Sequence, residues 1–203
     1  MPRIGAMLAW AAVAAAVMLP LGIAAASPLM AWRGPVYIAA CLAGVAALGL
    51  ILVQPLLAGG YLPGLAGVRG RRVHRGVGLA LVAAIVLHVG GLWLTSPPDV
   101  IDALTFTSPT PFSAWGVVAM WTLFGAALLA VLRRPLRIAP RLWRPAHSAL
   151  VAVTVAGSVV HALLIEGTMG PLSKTLLCAL AVAATLKALR DLRAWSPLLR
   201  RRA

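Results

Sequence analysis

Residues 74–88 read HRGVGLALVAAIVLH, and this stretch decides the fold of the chain. It contains two of the four histidines, and the other two, His147 and His161, bound a second stretch, HSALVAVTVAGSVVH. In both stretches the histidines are 14 residues apart. Along an α-helix this spacing amounts to about 1400°, within roughly 40° of four full turns, so both histidines of a stretch share one face. The two imidazoles would lie roughly 21 Å apart along the helix axis.

The composition is that of an integral membrane protein. Of the 203 residues, 62% are hydrophobic and only 11% are charged, and the mean hydropathy is +0.96. Soluble domains are about half apolar and about a quarter charged. A soluble fold would need a polar surface that this chain cannot supply.

Six apolar stretches are long enough to cross a bilayer, for which about 20 residues suffice. They cover residues 4–25, 35–58, 73–94, 112–132, 145–165 and 171–189. Backbone groups inside a bilayer must bond within their own segment, so these spans are helices. Pro145 and Pro171 are predicted to open the last two spans, where a missing N–H costs nothing. We predict an all-α integral membrane protein in which residues 1–203 form one six-helix domain.

The first stretch allows two interpretations. Arg3, the apolar run after it and the small residues Ala24-Ala25-Ala26-Ser27 resemble a signal peptide with its cleavage site. The run is nevertheless as long as a full span. A retained helix is therefore favoured, with the signal peptide as the alternative.

Basic residues gather on one side of the membrane. Of the 18 Lys and Arg residues, only Arg33 and Lys174 belong to the other side, together with Asp99, Asp102 and Glu166. Lys and Arg collect in the cytoplasmic loops of membrane proteins. We therefore predict a multi-pass protein of the cytoplasmic membrane with both termini in the cytoplasm and the lipid bilayer as a partner.

Charge and cysteine content exclude two further classes of protein. The net charge of +14 is confined to the ends of apolar stretches, and no soluble basic module is present, so we expect no nucleic-acid partner. Cys41 and Cys178 lie among apolar residues. A disulfide framework would need more cysteines in aqueous loops, so both are interpreted as small core or lipid-facing residues.

The topology places the four histidines in two pairs. Spans three and five run in the same direction, so His74 is level with His147 near the cytoplasmic side, and His88 is level with His161 near the external side. An ionisable side chain within a span is costly and usually marks a functional site. The alternative, that each histidine only bonds a neighbouring helix, is weakened by the matched spacing and depth.

Two imidazoles from facing helices form a site with two axial ligands. Zinc prefers three or four ligands, usually including Cys or carboxylate, and none lies nearby. Iron held in the plane of a porphyrin needs only two more ligands. The pattern predicts two haems between helices 3 and 5, an inner one at His74 and His147 and an outer one at His88 and His161. With both axial positions filled, such haems carry electrons and do not bind oxygen.

Other residue types near the histidines each allow two interpretations. Five glycines could accommodate either a flat ring or the close packing of two helices. They are Gly76, Gly78, Gly90, Gly91 and Gly157. Four arginines lie near the cytoplasmic ends of spans three and five. They could pair with propionates of the inner haem or serve only as topology determinants, and they are Arg71, Arg72, Arg75 and Arg144. Four tryptophans are interpreted as interfacial anchors or packing residues, and electron relay is a less favoured alternative. They are Trp93, Trp115, Trp121 and Trp143.

Six spans with His-x13-His in the third and the fifth resemble the ferric reductase-like transmembrane domain family. That superfamily includes ferric-chelate reductases, NADPH oxidases and the haem subunit of bacterial periplasmic methionine-sulfoxide reductase systems. The resemblance covers essentially the whole chain, and spans three to five are its most informative part. It implies that the four matching histidines are the axial ligands of two b-type haems, one pair for each haem.

One departure from the family concerns the electron donor. Ferric reductases and NADPH oxidases carry a flavin and nicotinamide domain after the last span, whereas here only a short segment follows span six. No Gly-rich dinucleotide fingerprint occurs in the chain. Flavin and NAD(P)H are therefore expected only on a separate cytoplasmic flavoprotein, with quinol as the alternative donor.

The family resemblance leaves the electron acceptor open. It could be ferric iron, oxygen or a periplasmic redox enzyme, and service to a periplasmic methionine-sulfoxide reductase is an alternative within the family. A haem-free transporter or assembly protein, with structural or proton-relaying histidines, is the alternative from another class. No catalytic residue is predicted, because Asp99, Asp102 and Glu166 are isolated in external connections.

Overall fold

The protein is described by a computed structural model that covers residues 2–193. In this part of the chain there are seven α-helices and no strand. They are α1 (Pro2–Ala25), α2 (Pro35–Ala58), α3 (Gly67–Thr95), α4 (Pro97–Leu104), α5 (Pro111–Leu132), α6 (Pro140–Leu164) and α7 (Pro171–Asp191). The arginine-rich residues 200–202, predicted to be cytoplasmic, lie outside the described residues.

Six of the seven helices are long and apolar enough to cross a membrane. Every helix except α4 belongs to this group, and each of the six matches one of the six predicted spans. The prediction of an all-α protein with six membrane-spanning helices is therefore confirmed. Many large apolar side chains on these helices are exposed, as expected where a bilayer takes the place of water.

Three details of the helices differ from the prediction. Helix α3 begins at Gly67, so His74 lies about two turns inside it instead of opening the span. Helix α6 begins at Pro140, which takes the first-turn position, and the prediction that Pro145 opens this span is wrong. The connection between α3 and α5 contains α4, where the hydroxyl of Ser96 donates a hydrogen bond to the carboxylate of Asp99.

The spanning helices form two antiparallel hairpins with two helices beside them. In the first hairpin α2 packs along α3, and in the second α5 packs along α6. Helix α7 contacts both α2 and α6, and α1 contacts α2 and α7. The largest buried cluster lies around α2, and its most buried members on the neighbouring α7 are Leu177, Cys178 and Ala181. Helices α3 and α6, which carry the histidines, do not pack along each other within the described chain.

Small side chains bring the two helices of each hairpin close together. A Cβ atom on Gly91 would lie 2.7 Å from the Cβ atom of Ala40, and one on Gly157 would lie 2.9 Å from the Trp115 carbonyl oxygen. In the second hairpin the hydroxyl oxygens of Thr122 and Thr154 are 2.9 Å apart. Close backbone approach and hydroxyl contacts of this kind hold membrane helices together.

Candidate functional site

Each histidine of α6 interacts electrostatically with one histidine of α3. His147 lies within electrostatic range of His74, and His161 lies within range of His88. All four side chains are half-buried. These are the pairs that the equal spacing predicts. We call His74 and His147 the inner pair, because they are nearer the arginine-rich connections, and His88 and His161 the outer pair.

Both histidines of the outer pair are anchored by the backbone of the preceding helix. His88 Nδ1 donates a hydrogen bond to the Ala40 carbonyl oxygen over 2.8 Å, and His161 Nδ1 donates to the Phe112 carbonyl oxygen over 2.8 Å. A carbonyl oxygen can only accept, so both rings carry their proton on Nδ1 and present a lone pair at Nε2. Metal-bound histidines are held in this way, with one ring nitrogen on the metal and the other donating to an acceptor.

Glycine lies one turn after each of these carbonyl groups. A Cβ atom on Gly44 would lie 2.8 Å from His88 Nδ1, and one on Gly116 would lie 2.6 Å from His161 Nδ1. These separations are shorter than side-chain Cβ atoms tolerate. Any larger residue would therefore displace the imidazole from its carbonyl partner. Both hairpins thus use the same local arrangement, a carbonyl acceptor followed one turn later by a glycine.

In the inner pair, His74 has a weaker and less defined anchor. Its Nδ1 lies 3.3 Å from the carbonyl oxygen of Gln54, which is 14 residues after Ala40. The Gln54 side-chain amide also lies against Nδ1 and against Gly78. The amide oxygen would accept a hydrogen bond from a protonated Nδ1, and the amide nitrogen would donate one to an unprotonated Nδ1. The amide orientation that satisfies both contacts has the nitrogen donating to His74 Nδ1 and the oxygen accepting from the Gly78 N–H.

His147 is anchored differently from the other three histidines. The carbonyl of Ala126, which is 14 residues after Phe112, lies in range of the ring, yet His147 Nδ1 forms no hydrogen bond within residues 2–193. The imidazole stacks on the indole of Trp143, with ring centroids 5.2 Å apart and planes 10° from parallel. The guanidinium carbon of Arg133 lies 4.3 Å from the centroid of a Trp143 ring.

None of the four Nε2 atoms has a hydrogen-bond partner among residues 2–193. In the described chain, the hydrogen bonds of the histidine rings are made through Nδ1 alone. None of the Nε2 atoms is sealed in the protein interior without a partner. The site therefore presents four imidazole nitrogens that a ligand can reach, two at each level of the membrane.

Within the described residues, the predicted propionate partners form no hydrogen bond with the histidines. The side chains of Arg71, Arg72, Arg75 and Arg144 are exposed on the side of the inner pair. Within residues 2–193, the ion pair that forms is that of Lys187 with Asp191. Interaction of these arginines with propionates stays a prediction.

The glycines chosen from the sequence divide into two groups. A Cβ atom on Gly76 or Gly90 would meet no atom within 4 Å. Gly78, Gly91 and Gly157 lie against the neighbouring helix of their own hairpin. For these three, helix packing is the interpretation that the contacts favour.

Among the tryptophans, Trp143 is the exception. Trp93, Trp115 and Trp121 are exposed, with 43%, 46% and 59% of their surface accessible, as interfacial or lipid-facing residues would be. Trp143 is half-buried against His147. Its position four residues before His147 places both side chains on one face of α6, so this contact could have been found from the sequence.

Clusters of metal-ligating side chains are absent from the described part of the chain. Between residues 2 and 193, no three His, Cys, Asp or Glu side chains converge in a way that could bind a metal ion.

Comparison of the chain with protein-family models, curated proteins and solved structures finds no match. The resemblance to ferric reductase-like domains therefore depends on the six spans and the histidine spacing alone.

Proposed function

We propose that this chain is a membrane cytochrome that binds two b-type haems and carries electrons across the cytoplasmic membrane. The observation that supports it best is the outer pair, in which two imidazoles from separate helices have Nδ1 bound to carbonyl groups and Nε2 free. Two such nitrogens are the donor set for the axial positions of a porphyrin iron. The inner pair supplies a second set at the other level of the membrane.

The surroundings of the histidines fit a planar macrocycle. Helices α3 and α6 each pack along a partner in their own hairpin and not along each other. A flat group between two ligand-bearing helices requires such a separation. Bound haem would supply one-electron redox chemistry at its iron, while the chain supplies ligands, orientation and an apolar environment.

The alternative of purely structural histidines explains the site less well. A histidine that only joins two helices within a membrane should satisfy both ring nitrogens, because an unpaired polar atom in an apolar environment is costly. Here each Nε2 lacks a protein partner within the described residues. This difference favours a ligand-binding role over a haem-free transporter or assembly protein.

The charge distribution supports an acidic electron donor on the side of the inner pair. The connections on this side are rich in exposed arginines, including Arg69, Arg72, Arg134, Arg137 and Arg141. Such a surface attracts an acidic partner and accelerates its binding. We infer that the donor is a separate cytoplasmic flavoprotein, with quinol as the alternative. The acceptor would be ferric iron, oxygen or a periplasmic redox enzyme such as methionine-sulfoxide reductase.

The first experiment is spectroscopic. The full chain, expressed with haem supplied and purified in detergent, should show the sharp α band of reduced low-spin b-type haem. A pyridine haemochrome assay should give two haems per chain. A folded but colourless protein would contradict the proposal.

Double substitutions test the pairing directly. His88→Ala with His161→Ala removes both ligands of one predicted site, so one haem per chain should remain. His74→Ala with His88→Ala removes one ligand from each site, and both haems should be lost. Equal haem content in these two double variants would contradict the proposed pairs.

A further inference from the structure

One of the four histidines, His147, stacks on a tryptophan and makes no hydrogen bond through Nδ1 in the described chain. His74, His88 and His161 each place Nδ1 within 3.3 Å of a carbonyl oxygen on the preceding helix. His147 Nδ1 is buried and has no hydrogen-bond partner in the described chain, and the same is true of Trp143 Nε1. The His147 ring has the Ala126 carbonyl in range, without a hydrogen bond to it, and lies in a parallel stack on Trp143.

The stack is built into α6 and extended by the preceding connection. Trp143 and His147 are four residues apart on one helix, which makes their side chains neighbours on the same face. Arg133, the residue after α5, places its guanidinium over the indole. A cation over an aromatic face is attracted to it and restricts its movement. The three planar groups therefore run from the end of α5 to His147 of the inner pair.

We propose that Trp143 is the positioning residue of His147 and that Arg133 fixes Trp143 in turn. The inference deepens the proposed function, because it assumes that His147 is a haem ligand. A parallel stack fixes the plane of the imidazole but provides no acceptor for its Nδ1 proton. The orientation of this ligand is thus set by an aromatic contact, whereas the outer ligands are set by hydrogen bonds.

Electron paramagnetic resonance of the ferric protein is a direct test, because the g values of low-spin haem depend on the orientation of the axial imidazole planes. Trp143→Leu removes the stack and should shift or broaden the signal of the inner haem while the outer signal is unchanged. Loss of the inner haem to a haem-binding acceptor protein should become roughly threefold to tenfold faster, the size expected for one aromatic contact.

Matched variants separate positioning from general effects on the membrane protein. Trp143→Phe keeps an aromatic face and should retain most of the wild-type signal, and Arg133→Gln should shift the inner signal in the direction of Trp143→Leu by a smaller amount. Trp121→Leu removes a tryptophan whose aromatic partner is Phe124, and it should change neither signal.

The outcomes are distinguishable from failure of the proposed function. Wild-type protein without haem would contradict the proposed function itself. Two haems with an inner signal and release rate unchanged in Trp143→Leu would overturn the role of Trp143. If Trp143→Leu also loses the outer signal, Arg133→Gln decides, and an inner signal unchanged in Arg133→Gln would overturn the inference.

Discussion

The two histidine pairs share one spacing but are anchored by different parts of the chain. In the outer pair, both Nδ1 atoms donate to backbone carbonyls over 2.8 Å, and a glycine lies beside each ring. In the inner pair, the His74 Nδ1 lies 3.3 Å from its carbonyl beside a side-chain amide, and the His147 Nδ1 makes no hydrogen bond in the described chain while its ring stacks on Trp143. Backbone anchors come with the helix, whereas side-chain anchors must also be held in one rotamer. The outer pair is therefore the more rigid, and the inner pair is the one that substitutions can adjust.

The largest expected effect is at the glycines of the outer pair. Gly116→Ala would place the new Cβ atom 2.6 Å from His161 Nδ1, so the imidazole ring must move away from its carbonyl partner. We expect haem content to fall from two to one per chain, and Gly44→Ala should act in the same way. The pyridine haemochrome assay measures this change.

Two glycines on α3 provide the control for this prediction. A Cβ atom on Gly76 or Gly90 meets nothing within 4 Å, so Gly76→Ala and Gly90→Ala should retain both haems. If Gly116→Ala and Gly44→Ala also retained both, the glycines would not be needed for ligand geometry. The contrast between the two pairs would then lose its main support.

The next effect concerns the reduction potentials. A hydrogen bond from Nδ1 makes the imidazole a stronger donor and favours ferric iron, so the outer haem should have the lower potential. One hydrogen bond contributes about 1 kcal/mol, which corresponds to a difference on the order of tens of millivolts. A redox titration followed by absorbance should resolve two components. The His88→Ala, His161→Ala double variant should retain the higher one, and retention of the lower one would reverse the assignment.

A smaller effect is expected at Gln54. Gln54→Leu removes the amide beside His74 but leaves the backbone carbonyl, so the inner haem should be lost a few times faster, as expected for about 1 kcal/mol. The outer haem should be released at the wild-type rate. Faster release of the outer haem would show that Gln54 acts on the packing of α2 against α3 and not on His74.

The smallest effect lies outside both pairs. Tyr61, in the connection between α2 and α3, donates a hydrogen bond to the Asp191 carboxylate over 2.7 Å. Desolvation and this hydrogen bond raise the pKa of Tyr61 from 10.0 to about 12. Because the folded state has the higher pKa, the stabilisation is complete below pH 10 and is lost as the pH rises toward 12.

Tyrosinate absorbance checks this prediction. Tyr61→Phe should remove the step near pH 12 and should leave the haem content and both potentials unchanged. A change confined to one haem would mean that the connection between α2 and α3 influences that pair. A tyrosinate step that persists in Tyr61→Phe would assign it to Tyr37 instead.

Most of the fold could be predicted because long apolar stretches and charge patterns are strong signals. The exceptions have physical causes. Arg69, Arg71 and Arg72 look like a loop by charge, yet they lie in the first turns of α3, where their side chains can extend to the membrane surface. Helix α4 was not predicted, because a helix of eight residues is too short to show a clear apolar periodicity and this one begins with two prolines.

The histidine pairs could be predicted, but most of their anchors could not. Every residue has a carbonyl group, so nothing in the sequence marks Ala40 or Phe112 as acceptors. Gly44 and Gly116 are two of 19 glycines, and their importance depends on contacts between helices. The spacing of Trp143 from His147 was visible, but an interfacial anchor is the commoner role for such a residue.

The matched spacing restricts how the length of this chain can change. Ala40 and Gln54 on α2 are 14 residues apart, as are His74 and His88 on α3, and the second hairpin repeats both intervals. One residue inserted between two histidines of a helix would turn one of them by about 100° relative to its carbonyl partner. Related chains can therefore vary freely in the lengths of their connections. Within the four helices, they can diverge by substitution, but insertion or deletion between the two levels would separate a ring from its anchor.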